Sequence, residues 1–434
     1  MRNKLKTILA HSPKQISKVV SKIRPELQYD LFYYDMKKSD GLTSSQIDEL
    51  QDKKLKAMIV HCSKHVPYYK KLFNDLNLKP HKFRSKEDLE LLPIMDRSDV
   101  IKNSKYLISK KNLGSKPIIR YSSGTTGNSL KFVSGQTERL FEAARIRKQA
   151  DMAGIDIRKG HYRLGLHLGD KIQKHDVARK TIFFNTKFLA TKSSIYVNSM
   201  INKKYKCIKG YPSHLYFLSE AINEDNSLNL GLRAAITVSE NLSDSLRKRI
   251  EKKYGCQVFN HYGMTEQVTS AMECQSHGGM HIEPLHGFIE QESEILVGTT
   301  LMNFSMPLLR YKTGDKIKII KNKCSCGRYS NRITKINGRE AEFLLSKSGK
   351  IYDFFILSNM VRNNKNIIIC QFIQDEPGYV LVRLKLTNNK LSKIRHNLNG
   401  IFKNDMHFIM EKTNTFGKDK FQFIISKPAQ KLIK

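Results

Sequence analysis

Six residues, Ser122-Ser123-Gly124-Thr125-Thr126-Gly127, constrain this chain more than any other stretch. They lie between a short apolar run, Ile118 to Tyr121, and a second one reached through Lys131. Both runs read as strands, so the layout is strand–loop–strand and not the strand–loop–helix of a Walker P-loop. A loop rich in glycine and hydroxyls presents backbone N–H groups and side-chain donors that can surround phosphate oxygens. A plain surface loop is the competing reading for a generic Ser/Gly/Thr run, but the order SSGTTG followed by Lys131 is far more specific.

Three later segments carry related chemistry. Asn260-His261-Tyr262-Gly263-Met264-Thr265-Glu266 follows a predicted buried strand, Gln257 to Asn260, where α/β sheets bind ligands. An aromatic ring there can stack on a base, and a carboxylate can hold a phosphate-bridging magnesium ion. Leu309-Arg310-Tyr311-Lys312-Thr313-Gly314-Asp315 sets an aspartate after a glycine, able to accept both hydroxyls of a ribose, although Thr-Gly-Asp is also ordinary hairpin chemistry. Gly417-Lys418 falls in a predicted loop of the tail.

The remaining pattern is that of an α/β layered protein. Residues 45–76 read as one amphipathic helical stretch closed by Pro67, and Thr137 to Met152 as a second helix. Ala234 to Val238, Ser243 to Tyr254 and Gln257 to Asn260 alternate strand, helix and strand, which predicts parallel strands. Glu290 to Ile320 reads as short strands with turns at Gly298 and Gly314. The tail predicts strands at Ile367–Ile373, Tyr379–Leu386 and Phe421–Ile425, a hairpin turn at Pro377-Gly378 and a helix over Leu391–Phe402. These divide the chain into a large α/β domain, 1–337, and a small α+β domain, 338–434.

With 434 residues the chain can bury a core without disulfides. Its formal net charge of +36 invites a nucleic-acid or anionic-membrane partner, but the lysines and arginines are scattered, which favours a solvated surface that still attracts anionic substrates. No specific nucleic acid is expected, and peripheral membrane association stays open. Seven cysteines, with no signal peptide and no apolar stretch of transmembrane length, predict reduced thiols in a cytoplasmic protein.

The motifs stand in the order found in the adenylate-forming superfamily of acyl-CoA synthetases, peptide-synthetase adenylation domains and luciferases. The chain most resembles the branch with phenylacetate–CoA ligase, coenzyme F390 synthetase and CapK-type capsule-biosynthesis proteins. His65-Val66-Pro67-Tyr68-Tyr69-Lys70-Lys71-Leu72-Phe73, Gly210-Tyr211-Pro212-Ser213 and Val238-Ser239-Glu240-Asn241-Leu242 also resemble that branch. The resemblance implies an AMP-forming ligase that activates a carboxylic acid with ATP. Ser122, Ser123, Gly124, Thr125, Thr126 and Gly127 would then hold the β- and γ-phosphates. Ser239, Glu240 and Tyr262 would line the adenine pocket, Thr265 would touch the α-phosphate and Glu266 would hold Mg2+. Asp315 would grip the ribose with Arg332 and Arg339 as helpers, and Lys418 would reach the α-phosphate and the acid.

Relatives rotate the small domain about a Gly-Arg-x-Asp-Asp hinge. Here the stretch is Gly338-Arg339-Glu340-Ala341-Glu342, without the hinge aspartate. The acceptor is therefore left between CoA and an amine or hydroxyl of a surface-polysaccharide precursor, and a non-catalytic nucleotide-binding homologue is the alternative. His167, Lys171 and Lys174 hint at a polar or anionic acid. The branch also implies a structural zinc on Cys274, His281, Cys324 and Cys326, with His277 competing for the histidine position. Cys62, Cys207, Cys256 and Cys370 read as small buried apolar side chains.

Overall fold

The computed structural model describes residues 25–433 except 112–116, 122–129, 166–167, 169, 224–229, 240–241, 243, 340–342, 354–356, 358–360, 362–363, 365, 388–390, 403–404 and 415–421. It begins with helices α1 (Pro25–Ser39), α2 (Ser44–His65) and α3 (Pro67–Asp75). Thr43 caps α2: its hydroxyl accepts from the Gln46 N–H at 3.4 Å, and the Gln46 side chain accepts from the Thr43 N–H at 3.0 Å. This exchange satisfies two donors that a helix start leaves open. Leu55, Met58, Ile59 and Cys62 form the buried face of α2. The stretch predicted as one helix is two. Proline's fixed φ and missing N–H suit the first position of a helix, so Pro67 opens α3 after the extended Val66. Tyr69 then ties α3 to a distant segment, accepting from the Leu309 N–H at 2.8 Å and donating to the Pro307 carbonyl at 3.3 Å.

Helix α4 (Arg97–Asn103) leads to an antiparallel pair, β1 (Ile118–Tyr121) and β2 (Lys131–Ser134), which is the strand–loop–strand layout expected. The loop between them, Ser122 to Gly127, lies outside the described residues. Helix α5 (Gln136–Met152) follows.

The middle of the chain runs β3 (His161–Leu164), β4 (Gln173–Asp176), β5 (Thr181–Phe184), α6 (Leu189–Lys203), β6 (Cys207–Gly210), α7 (Pro212–Ser219), β7 (Ala234–Val238), α8 (Asp244–Tyr254) and β8 (Gln257–Gly263). It continues through β9 (Ser270–Glu273), β10 (Met280–Ile282), β11 (Gly287–Glu292), β12 (Ile295–Thr300), β13 (Tyr311–Ile320) and β14 (Arg332–Arg339). These form one 12-stranded sheet in the order β11-β12-β13-β14-β10-β9-β8-β7-β6-β3-β5-β4. Strands β5, β3, β6, β7 and β8 are parallel, with helical crossovers from β5 to β6, β6 to β7 and β7 to β8, and with β4 between β3 and β5. Beyond β8 hairpins replace the crossovers and every pairing is antiparallel, so the sheet is mixed.

Alternate residues serve opposite faces of the sheet. Tyr162, Leu164, Ile208, Ala235 and Val258 enter the core shared with α6, α7 and α8. Cys207, Ala234, Ile236, Phe259 and Met272 form a second core with Ala150 of α5.

Two predicted turns are strand positions. Gly298 sits inside β12 because Val268 packs on it; a Cβ there would come 2.6 Å from Val268 Cγ2. Gly314 takes a φ of 76° inside β13, where the register against β14 slips between Asp315 and Ile317, so it makes a bulge.

The tail has β15 (Phe343–Leu345) paired with β16 (Ile351–Asp353), then β17 (Ile367–Glu376), β18 (Tyr379–Leu386), α9 (Leu391–Phe402), β19 (His407–Lys412), β20 (Ile424–Ser426) and α10 (Lys427–Ile433). A separate sheet, β19-β18-β17-β20, packs with α9 around Phe372, Val382, Ile394, Leu398 and Phe402. Gly378 turns the chain between β17 and β18 with a φ of 78°, as expected of Pro377-Gly378. This sheet touches the larger one: Ile368 and Ile369 share the core of Tyr216 and Tyr254, and Lys385 Nζ lies 3.6 Å from Glu220. Among the described residues no helix is long and apolar enough to cross a membrane.

Candidate active site and metal centre

Asn260, His261, Tyr262 and Gly263 are the last residues of β8, so the motif predicted to follow the strand starts inside it. The extra length comes from β9, which folds back with Tyr262 opposite Ala271 and Gly263 opposite Ser270. The connecting loop is unusually buried for a hairpin, with Glu266, Gln267, Val268 and Thr269 all under 9% exposed. Gly287 makes room for it, since a Cβ at that position would lie 1.8 Å from the Val268 carbonyl oxygen. Thr265 and Glu266 are thereby held at the carboxyl edge of the parallel strands, where open α/β sheets bind ligands.

Asp315 reaches the same edge from β13. The Tyr262 phenol donates to its Oδ2 at 2.6 Å, and the Asp315 N–H donates to Thr313 Oγ1 at 3.1 Å. Two motifs 53 residues apart in sequence thus share one charge-assisted hydrogen bond. Ser239, exposed and left-handed with a φ of 67°, ends the neighbouring strand β7. Arg339 is the Cα partner of Asp315 across β13 and β14. Arg332 is not: it pairs with Ile320 at the far end of that ladder, and its guanidinium donates to the Gly278 and Asn322 carbonyls at 2.5 and 3.3 Å. Those bonds fix turns beside the cysteines, which removes Arg332 from the ribose helpers. Glu240 and Lys418, like the Ser122–Gly127 loop, lie outside the described residues.

The second constellation is a compact thiol–imidazole cluster. Ligand atoms of Cys274, His281, Cys324 and Cys326 all lie within 4.8 Å of one another. Cys274 Sγ and Cys324 Sγ are 3.9 Å apart, and Cys326 Sγ is 3.4 Å from His281 Nε2. A tetrahedral zinc with ordinary bond lengths sets such pairs about 3.8 and 3.5 Å apart, whereas a disulfide would require about 2.05 Å. His281 Nδ1 meets Ser330 Oγ at 2.8 Å, an outer contact that fixes the ring with Nε2 toward the sulfurs. Burial, then Arg328, lowers the His281 imidazole to about 4 and keeps it in the neutral, ligating form. Burial opposes ionisation of Cys324, but hydrogen bonds from Ser276 and the Cys326 backbone prevail and bring the thiol down to about 6. Arg328 donates to Cys326 Sγ at 3.3 Å and pairs with Asp40. His277 is excluded from the cluster: its ring packs on Phe259, and Nδ1 contacts Glu273 and Arg247 at 3.3 and 3.4 Å.

No protein-family model matches the chain. It is 25% identical to the protein CapK of Staphylococcus aureus, over 96% of this chain and 98% of CapK. It is also 25% identical to the phenylacetate–coenzyme A ligase of Thermus thermophilus, over 72% of this chain and 75% of that enzyme. The fold matches a crystal structure of 2-hydroxyisobutyryl-CoA ligase in the postadenylation state with a TM-score of 0.72, covering 91% of this chain and 93% of that one at 16% identity. The chain is thus similar in sequence to phenylacetate–CoA ligases and to CapK, and it shares the fold of an adenylate-forming CoA ligase.

The sheet face under α5 holds charges that the sequence alone did not reveal. Arg145 of α5 donates to Glu142, Gln149 and Ser270 at 2.5, 2.7 and 2.6 Å and contacts His261 Nε2 at 3.0 Å. Burial, then Arg145 and Lys209, depresses His261 well below the usual histidine range, so its ring is neutral. Arg163 of β3 and Lys209 of β6 are Cα partners on the same face. A lysine in the otherwise buried strand just before Gly210-Tyr211-Pro212 was the available signal. Lys171 and Lys174, singled out instead, are exposed, and His167 lies outside the described residues. Cys62, Cys207 and Cys370 are buried and Cys256 half-buried, as expected of apolar fillers.

Proposed function

We propose that this chain is an AMP-forming ligase that joins ATP and a carboxylic acid into an acyl-adenylate, then hands the acyl group to a nucleophile. A carboxylate oxygen attacks the α-phosphorus and pyrophosphate leaves; the nucleophile then attacks the acyl carbon and AMP leaves. The reading rests on Tyr262 and Asp315 meeting beside Thr265 and Glu266 at the carboxyl edge of an adenylate-forming fold.

In this scheme Asp315 accepts the ribose hydroxyls and Tyr262, besides orienting that carboxylate, offers its ring to the adenine. Ser239 and Glu240 line the base, the Ser122–Gly127 loop clasps the outer phosphates, and Arg339 supports Asp315 from the facing strand. The buried carboxylate of Glu266 suits Mg2+, which when bound supplies positive charge to the triphosphate. Thr265 and Lys418 face the α-phosphate. Carboxylate and phosphate repel, so the rate depends on cationic placement more than on proton transfer. Residues 338–434 act as the mobile unit that delivers Lys418.

The chain is similar to CapK from end to end, and its resemblance to capsule-biosynthesis proteins makes an amine or hydroxyl of a surface-polysaccharide precursor one acceptor. CoA stands beside it as the other acceptor, supported by the similarity to phenylacetate–coenzyme A ligases, while the stretch Glu340-Ala341-Glu342 lacks the hinge aspartate. The four-ligand cluster fits a closed structural zinc with no open position for chemistry. ATP–pyrophosphate exchange tests the reading. Lys418→Ala is expected to slow exchange a hundredfold or more, in line with the roughly 3–4 kcal/mol lost with a transition-state contact. Exchange at the wild-type rate in that variant refutes the assignment.

A further inference from the structure

Two basic side chains on the α5 face of the sheet have no hydrogen bond or ion pair among the described residues. Arg163 and Lys209 stand side by side on the parallel strands β3 and β6. Their sequence neighbours Tyr162 and Ile208 point into the opposite core, so period-two alternation turns Arg163 and Lys209 toward α5. The carboxylate on that wall, Glu142, is already bonded to Arg145 at 2.5 Å.

The surroundings make the charge worse. Burial lowers the Lys209 ammonium to about 8, with Arg163 and Arg145 adding repulsion. Solvent reaches Arg163, yet protein surrounds it closely enough that burial lowers its guanidinium too. His161 is pushed down to about 4 by burial, then by Lys209 and Arg163, and His261 is neutral for similar reasons. Three cations therefore face one carboxylate, and the histidines add no charge. Lys209 is half-buried and Arg163 is exposed, so an anion can reach both, and the like charges packed together favour one.

The sheet register places these cations relative to the nucleotide motif. Lys209 stands opposite Ile236, which stands opposite Phe259. His261, two residues further along β8, lies on the same face, and Tyr262, three residues on and about 10 Å toward the carboxyl edge at roughly 3.3 Å per residue, turns to the opposite face. Cys207, Ile236 and Phe259 make the apolar floor beside them. An acid whose reacting carboxylate lies at the edge, against Thr265, would extend its other end toward Arg163 and Lys209.

We infer that the acid activated by this chain carries a second anionic group, remote from the reacting carboxylate, which Lys209 and Arg163 bind. This rests on the ligase reading and names its substrate class. Neutral acids leave both cations unpaired, while a dianionic acid supplies the missing charge.

The test is ATP–pyrophosphate exchange with matched acids: linear monocarboxylates, their ω-dicarboxylates from succinate to adipate, and the ω-phosphono analogues. Wild type is expected to prefer an anionic member by tenfold or more in kcat/KM, and the dicarboxylate and phosphonate arms identify the group. Lys209→Met and Arg163→Gln should each erase most of that preference. Lys209→Met should melt no lower than wild type, because it removes a half-buried charge among like charges, and Arg163→Gln, at an exposed position, should leave the melting temperature unchanged. Equal or better use of neutral acids overturns the inference while leaving the ligase reading intact. So does an unchanged preference in both variants with a raised KM for ATP, which would assign the cations to the triphosphate. If no acid supports exchange, the ligase reading fails, and calorimetric titration of glutarate against butyrate decides the inference. Glutarate binding that Lys209→Met abolishes upholds it; absence of glutarate binding overturns it.

Discussion

The Tyr262 phenol donates a 2.6 Å hydrogen bond to Asp315, joining the end of β8 to the bulge of β13. The bond aligns the carboxylate. Asp315→Ala should therefore lower kcat/KM for ATP about tenfold to a hundredfold, since bonds to a charged group are worth about 1.5–3 kcal/mol each. Tyr262→Phe keeps the ring and should cost less, about tenfold. Initial rates of pyrophosphate exchange across ATP concentrations separate the two. Equal and negligible effects would dissociate this pair from nucleotide binding.

The hairpin carrying Thr265 and Glu266 depends on Gly287. A Cβ there meets backbone on both sides, 1.8 Å from the Val268 oxygen and 3.0 Å from the Thr299 oxygen, and backbone cannot swing aside. Gly287→Ala should lower kcat/KM for ATP tenfold or more and reduce the melting temperature by several degrees. Gly400→Ala is the comparison: nothing lies within 4 Å of its Cβ position, and it sits within α9. That change should stabilise by roughly 0.5–1 kcal/mol.

Zinc should be present at one per chain when fresh protein is analysed for metals. Strong chelation, or Cys324→Ser, should lower the thermal midpoint, because a metal bound only by the folded chain stabilises it by mass action. Metal-free protein with an unchanged melting curve would remove zinc from the account.

Acid should destabilise this chain well above the carboxylate range. Burial lowers His61 to about 4, His161 to about 4 and His286 to about 3, all from 6.5. Between about pH 6.5 and 4 the unfolded chain takes up protons at these sites that the folded chain refuses. Stability is therefore full above pH 6.5 and falls as pH drops, by about 1.4 kcal/mol per pH unit for each proton. Below the folded values the loss levels off. Among the described residues His286 has no hydrogen-bond partner on either ring nitrogen. His286→Leu should flatten the slope of urea-unfolding stability against pH by up to one proton; an unchanged slope would contradict the assignment.

Much of this was legible in the residues because the signals were local. The β1–β2 pair, the parallel run through β8 and the tail helix follow from apolar periodicity and turn chemistry. The cluster of Cys274, His281, Cys324 and Cys326 was implied by the family resemblance, with His277 left competing for one place, and the β9–β10 turn, β10 and the β13–β14 turn bring it together. What was missed depends on partners far along the chain. Gly298 looks like a turn until Val268 is seen packed against it. Pro67 looks like a terminator until the extended Val66 is seen turning the chain into a new helix. Arg332 looks close to Asp315 in a motif list, but β-strand geometry separates residues at opposite ends of one ladder. Arg163 and Lys209 become neighbours only when β3 pairs with β6.

Oxygen tracing tests the central claim most directly. With a carboxylic acid that supports exchange, labelled with 18O in both carboxyl oxygens, and hydroxylamine as acceptor, AMP should gain one labelled oxygen. The carboxylate oxygen that attacks phosphorus stays on AMP when the acyl carbon is transferred. Unlabelled AMP, or ADP formed together with labelled inorganic phosphate, would contradict an acyl-adenylate.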